Sequence, residues 1–502
     1  MPGSLPLYDA AALRRVEAQA AAALGGDDFE LMRRAGRAAW RAALAHWPGA
    51  QRIVVACGPG NNGGDGHVFA GEARASGRAV TVVHPPDMPA RSPLARRACT
   101  AFVEAGGEAR AFDGRLPEAD LVVDALFGIG LSRAPDASAA ALIEAIGASG
   151  LPVLALDAPS GIDADTGHRP GAAIRATRTL EFLAAHPGLR TAQGPDHAGL
   201  LETASLDVPD AGWEGVRPSA QWLRPARLRH WLPSRRRDSH KGAFGHVLCI
   251  GGDAGMGGAI VLCCEAALRA GAGLVSAATR AAHLPALLAR RPECMAHAVD
   301  AADALPELLR KADVVAIGPG LGRGDWGRAL FETAIDAALR ARKALVIDAD
   351  ALNLLARAPR ALPCAVLTPH PGEAARLLGC DTAAVQADRF DAVARLAARF
   401  QCAVVLKGAG SLVAAPDRIP QVVGAGNPGM ATGGMGDVLT GIVSALLAQG
   451  LDAFDAAACG ALLHAHAGDL AAGGGERGLL PSDLLACLRA AANPMPTTEH
   501  AA

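Results

Sequence analysis

Aromatic side chains are scarce: Phe, Trp and Tyr make up 4% of the 502 residues, and there is one tyrosine. That leaves no stacking platform for unpaired bases, which needs several aromatic faces in succession. An excess of charge is lacking too. Lys plus Arg number 48 against 50 for Asp plus Glu, so no overall field recruits nucleic acid. The run Arg235-Arg236-Arg237 is a local exception, read as a solvated or phosphate-steering patch. The 11 cysteines include no Cys-x-x-Cys pair, and several, such as Cys249 and Cys402, fall in apolar strand-like runs. They read as reduced, buried thiols, not a disulfide frame or a zinc site, and the vicinal Cys263 and Cys264 as helix residues packed in a core. No uncharged apolar run approaches the roughly 18–20 residues of a membrane span. The N-terminus does not pair a basic stretch with an apolar one, so no signal peptide is predicted and a cytoplasmic location is expected.

What is present is apolar and alternating. Apolar residues at 51% and charged residues at 20% describe a globular protein too long for one core. The most telling stretch is 427–441, Asn-Pro-Gly-Met-Ala-Thr-Gly-Gly-Met-Gly-Asp-Val-Leu-Thr-Gly. Gly429, Gly433, Gly434 and Gly436 precede Asp437, and an apolar run at helical spacing follows. Glycines let backbone approach a ligand, and the amides of a new helix point at an anion held before it. Asp437 could then take the proton of a hydroxyl attacking phosphorus, or could merely cap the helix. Four glycines in eight residues favour the phosphate site.

From the start, residues 9–47 read as two helices broken at Gly25-Gly26. A strand at 53–57 runs into a loop of five glycines, two asparagines and Asp65, with a helix predicted from His67. Its spacing is not that of the dinucleotide fingerprint. Further strands end at Asp124 and Asp157. In a parallel sheet such carboxyl ends line one crevice, where Asn62, Asp124, Asp157 and Ser160 would converge as hard oxygen ligands. That set suits an alkali or alkaline-earth cation better than zinc. Residues around 210–243, rich in arginine and tryptophan with little periodicity, are read as holding the linker, with a boundary near 220. A second strand–helix series follows, with loops after strands at 246–250, 314–317, 345–347, 366–367 and 403–406. The expected fold is α/β with two doubly wound domains: 1–215, a linker at 216–240, and 241–502.

With these loops in place, nearly the whole chain resembles the family of bifunctional NAD(P)H-hydrate repair enzymes. The residues that carry the likeness are Asn61 to Gly66 and Asp157-Ala158-Pro159-Ser160-Gly161 in the front half. In the rear half they are Ser239-His240-Lys241-Gly242, Gly318 to Gly322, Thr368 to Glu373, and 427–441. The resemblance implies a Rossmann-like three-layer front domain that interconverts the R and S epimers of NADHX and NADPHX. It implies a ribokinase-like rear domain that dehydrates the S form with ADP, giving AMP and phosphate. On the same ground Asn61, Asn62, Gly63, Gly64, Asp65, Gly128, Ile129, Gly130, Leu131, Ser132, Arg133, Ala134 and Asp157 would bind the hydrate in front. Asn62, Asp124 and Ser160 would hold potassium, and Asp157 would be the acid/base. In the rear, Ala259, Gly322, His370 and Asp437 would bind the hydrate, with Asp437 as base. Lys407, Gly408, Ala409, Gly410, Ser411 and Gly436 would bind the nucleotide, accompanied by Mg2+. A homo-oligomer is expected, with no nucleic-acid or membrane partner.

Two positions depart from the family pattern. His186 stands where relatives usually carry lysine, and its charge depends on pH. Ser411 replaces a common threonine and keeps the hydroxyl. The competing readings are a kinase acting on a stable alcohol and, for the front half, a binding module without catalysis.

Overall fold

A computed structural model describes residues 3–131 and 133–493. It divides into two compact units, Pro6–Ala220 and a second formed from Gln221 onward together with residues 3–5.

The front unit is built on a seven-stranded sheet, all parallel, in the order Glu108–Ala111, Ala79–His84, Arg52–Cys57, Leu121–Ala125, Val153–Leu156, Arg178–Phe182, Leu200–Ala204. The central strands are buried almost without a break, as a parallel sheet covered on both faces requires (Ile53, Val55, Val123 and Leu154 among others). Order reverses beside Arg52–Cys57, between the connections to Ala79–His84 and Leu121–Ala125. At such a switch point the strand ends part and leave a crevice.

One helix differs from expectation. It spans Asn61–Ala75 and begins six residues before His67, so the Gly-rich segment is its first two turns. The glycines serve packing there. A Cβ on Gly63 would meet the Gly58 carbonyl at 2.0 Å, on Gly64 the Met32 methyl at 2.4 Å, and on Gly66 the Ala125 Cβ at 2.6 Å. The two helices expected over 9–47 are Ala10–Ala23, capped by Asp9, and Phe29–His46.

The rear unit carries an eleven-stranded sheet in the order Ser4–Leu7, Ala220–Leu223, Gln421–Val423, Leu412–Ala414, Ala403–Leu406, Ala365–Leu367, Ala344–Ile347, Val314–Ile317, His246–Ile250, Leu274–Thr279, Met295–Ala298. Pairing is parallel from Ala403–Leu406 to Met295–Ala298, and Leu412–Ala414 runs antiparallel to both neighbours. Helices Gly257–Arg269, Met435–Ala448, Ala453–Ala471 and Pro481–Ala491 join the main core, where Cys249, Cys263, Cys264, Cys294 and Cys459 are buried free thiols.

The stretch expected as a linker is partly core. Ala220–Leu223 is a strand, and Leu223, Leu228 and Trp231 are buried with the rear cluster. Its tryptophans and arginines stack in pairs, Arg224 over Trp222 and Arg227 over Trp231.

Candidate active sites

In the front unit, the carboxyl ends of four strands face a cleft of about 330 Å³. Asn61, Asn62, Asp65, Gly128, Ile129, Gly130 and Asp157 line it, joined by Leu13, Arg14 and Glu17 of the Ala10–Ala23 helix. Asp157 follows Val153–Leu156 directly and holds φ at 67°, a left-handed conformation that costs a non-glycine residue about 1–2 kcal/mol. Its own amide donates to the Leu180 carbonyl at 2.8 Å, which keeps it there. Both carboxylate oxygens are engaged: Oδ1 accepts from His186 Nε2 at 2.9 Å and Oδ2 from the Ile129 amide at 3.1 Å. Gly128 must be glycine, because a Cβ would lie 2.6 Å from Asp157 Oδ2 and 3.4 Å from the Asn62 side chain.

His186 is fully buried. Burial alone would discourage its charge, but the Asp157 carboxylate, the hydrogen bond to it and Glu181 outweigh burial and hold the imidazole above its ordinary value. Glu181 in turn forms a buried two-point pair with Arg190, at 2.7 and 2.8 Å, and accepts from the His186 amide at 2.6 Å. So the lysine-to-histidine departure keeps a cation-capable group on Asp157 and adds a titration.

Asp124, at the end of Leu121–Ala125, has no exposed surface. Its carboxylate accepts from Ser160 Oγ at 2.6 Å, the Ser160 amide at 2.8 Å and the Leu126 amide at 3.2 Å. Burial still pushes it up to about 6. Nearby, Asn62 Nδ2 donates to the Leu156 carbonyl at 3.2 Å while Asn62 Oδ1 is buried without a partner. An orphaned amide oxygen and an under-compensated carboxylate fit a monovalent hard cation. Of the loop expected to bind the hydrate, Gly128, Ile129 and Gly130 line the cleft. Ala134 is near Gly171 instead, Leu131 and Arg133 are not among the lining residues, and Ser132 lies outside the described residues.

In the rear unit, Met435–Ala448 starts behind Gly434, whose φ of 94° only glycine adopts freely. Asp437 is the third residue of this helix and makes no capping hydrogen bond, so the cap reading does not hold. Burial pushes its carboxyl up to about 7, Asp348 pushes it further in the same direction, and Lys407 opposes. Lys407, at the end of Ala403–Leu406, is drawn elsewhere: its Nζ donates to Asp348 Oδ1 at 2.8 Å and stands 3.8 Å from Glu373. Asp348 Oδ2 accepts from Thr440 Oγ1 at 2.9 Å. Gly436 lies over this pair, and a Cβ there would meet Asp348 Oδ2 at 3.2 Å and Lys407 Nζ at 3.3 Å.

His370 caps Pro371–Leu378, accepting from the Gly372 amide at 3.0 Å, and its own amide donates to Glu373 at 2.8 Å. Its exposed imidazole is free to touch a ligand as well. Gly322 donates its amide to Asp350 at 3.0 Å, and Ala259 packs against the same glycine loop, where a Cβ on Gly320 would lie 3.1 Å from its own. The loop of Lys407, Gly408, Ala409, Gly410 and Ser411 is shaped from beneath by buried Arg389, which donates to the Leu406 and Lys407 carbonyls. The Gly408 amide and Ser411 Oγ close it at 3.3 Å.

The sequence reading missed Asp348, Glu373, Thr440 and Arg389 as site-building residues. It also missed His464, whose Nε2 is buried without a hydrogen-bond partner and whose ring is pushed down to about 4 by burial and Lys407. Asp348 stands directly after the strand Ala344–Ile347, the signal that singled out Asp124 and Asp157, whereas Glu373 lies in the first turn of Pro371–Leu378.

A strained acid at a parallel-sheet crevice in one unit and a carboxylate over a glycine-led helix in the other define a two-domain α/β enzyme. The NAD(P)H-hydrate dehydratase family matches residues 247–489, and the YjeF-related protein N-terminus matches 28–188. The bifunctional NAD(P)H-hydrate repair enzyme Nnr of Escherichia coli is 46% identical, over 99% of this chain and 96% of its own length. The one of Coxiella burnetii is 45% identical, over 97% and 99%. A solved ribokinase-like superfamily protein from Enterococcus faecalis is 30% identical over 54% of this chain and 95% of its own, with a TM-score of 0.51. The chain belongs to the bifunctional NAD(P)H-hydrate repair enzyme family, an epimerase domain joined to an ADP-dependent dehydratase domain.

Proposed function

We propose that the front cleft interconverts the R and S hydrates of NADH and NADPH through Asp157, and that Asp437 starts the dehydration of the S form. The observation that carries the reading is Asp437 itself. It is a carboxyl with no hydrogen bond of its own among the described residues, at the start of a helix and beside Lys407. A group whose proton affinity lies near neutrality can take the hydrate's hydroxyl proton as oxygen attacks the terminal phosphorus of ADP. The amides of Gly434, Met435 and Gly436 and the Lys407 ammonium stabilise the charge in transfer. Phosphate is a better leaving group than hydroxide, so elimination then restores the reduced ring.

Among the described residues, no three His, Cys, Asp or Glu side chains are grouped to hold a metal ion. Magnesium would therefore be carried mainly by the nucleotide's phosphate oxygens, and it would neutralise their charge. Potassium would be held by Asn62, Asp124 and Ser160, and would supply positive charge beside the crevice. A cytoplasmic location and self-association complete the proposal.

The test is recovery of the near-ultraviolet absorbance of reduced nicotinamide from mixed hydrates with ADP, magnesium and potassium. Full recovery supports both activities. A stall when the S form is consumed removes the front-half activity, and a stable phosphorylated product with no recovery replaces dehydration by simple kinase action.

A further inference from the structure

Besides Asp65 and Asp157, the front-half cleft contains an acidic group that neither the matched family segment nor the sequence motifs cover. Glu17 lies on the Ala10–Ala23 helix, outside residues 28–188. It lines the same cleft as Asp157, and Arg14, one turn earlier, lines it too. Epimerisation at a hydroxylated carbon means breaking a bond on one face and remaking it on the other, so two proton-handling groups on separate walls are needed. The strand ends supply Asp157 and the helix supplies Glu17. We propose that Glu17 is the second acid–base group of the epimerisation, donating a proton to the departing hydroxyl while Asp157 accepts one from the water that replaces it. The inference rests on the front-half function proposed above.

The step balances. In a hydrated dihydronicotinamide the hydroxyl sits on the carbon beside the ring nitrogen, because water adds where the nitrogen lone pair supports positive charge. Glu17 gives its proton to that oxygen. The C–O bond breaks with its electron pair on oxygen, water leaves, and the nitrogen lone pair stabilises the carbon. A water on the other face adds, and its proton passes to Asp157. One water is lost and one gained, and the proton returns from Asp157 to Glu17 through solvent.

The surroundings favour this role. Glu17 is exposed at the cleft wall, so solvent can carry that returning proton. Desolvation within the cleft and the negative charge of Asp157 push the acid up to about 7, while Arg14 opposes. Asp65 from the Asn61–Ala75 helix faces it as well, itself pushed well up by burial, Asp157 and Glu17. Asp28 shares the adjoining pocket, and His186 stands behind Asp157. Around neutral pH, Glu17 can thus donate a proton, whereas Asp157 is hydrogen-bonded to the His186 imidazole.

The test compares wild-type protein, Glu17→Gln and Glu17→Asp in converting purified R hydrate to S across pH, with dehydration of the S form followed in parallel. Wild-type epimerisation should fall as pH rises past about 7, where Glu17 loses its proton. Glu17→Gln should lower kcat about 10²-fold or more with little change in KM and should abolish that fall. Glu17→Asp should recover part of the rate and the pH dependence. Hydrogen exchange of the front unit at the wild-type level excludes misfolding as the cause. A Glu17→Gln rate and pH profile equal to wild type would overturn the assignment while leaving the epimerase reading intact. A wild-type protein that does not epimerise would overturn both.

Discussion

Asp437 and Asp157 are the two carboxyls proposed to move protons, and the two units treat them in opposite ways. Around Asp437 the protein withholds partners. The ammonium that could neutralise it is held 2.8 Å from Asp348, and Asp348 adds its own negative field. Around Asp157 it supplies them, a buried imidazole on one oxygen and a backbone amide on the other. A carboxyl left without partners is tuned by its setting; one bonded at both oxygens is aimed. The first suits a base that must gain a proton from an attacking hydroxyl, and the second a group that must face one carbon in a fixed direction.

The comparison can be broken at Asp437 first. Asp437→Asn should reduce dehydration about 10²–10⁴-fold in the absorbance assay and leave R-to-S conversion unchanged. Turnover within a few-fold of wild type would show that the helix amides and Lys407 suffice. Next in size is Lys407→Met, which leaves Asp348 buried without its counter-charge. It should destabilise the rear unit by about 3–5 kcal/mol in denaturant unfolding. Asp157→Asn should slow epimerisation about 10²-fold, since other groups in the cleft still handle protons, and dehydration of purified S hydrate should persist.

These effects would sharpen with pH. Dehydration should rise through about pH 7 as Asp437 loses its proton. Asp348→Asn removes a neighbour that raises Asp437, and it frees Lys407, which lowers it. The midpoint in that variant should move down by about 1 unit or more.

The smallest effect concerns His186. Its folded-state pKa is raised, so its protonation favours the fold below the unfolded value of about 6.5 and the contribution is lost as pH climbs through the raised one. His186→Gln, which keeps a donor for Asp157, should flatten that pH dependence in thermal unfolding of the front unit. An unchanged slope would mean that the imidazole does not titrate there.

The strand–loop–helix order, the glycine-rich stretches and the polar residues ending Leu121–Ala125 and Val153–Leu156 were legible, because each follows from local pattern. What the pattern concealed has a physical cause in each case. The helix at Asn61 reads as a loop because its glycines, chosen for contact with Gly58, Met32 and Ala125, resemble glycines chosen for turns. Asp348, Lys407 and Thr440 come from separate segments, and only tertiary folding makes them a pair and its support. Glu17 lies in an ordinary amphipathic helix whose apolar face gives no hint that its polar face borders a cleft. The linker expectation failed at Trp231 because the stacking of arginine over an indole face has no period to detect.

The edge strand Ser4–Leu7 bears on how the protein can be handled. A rear half produced from Gln221 onward would lack the strand that covers Ala220–Leu223 in the sheet. Its unpaired amides and carbonyls would offer a template for strand addition by other chains. Dissection at the apparent boundary would then yield a sticky fragment, whereas grafting residues 3–7 back through a short tether, or adding them as a peptide, would restore a soluble one.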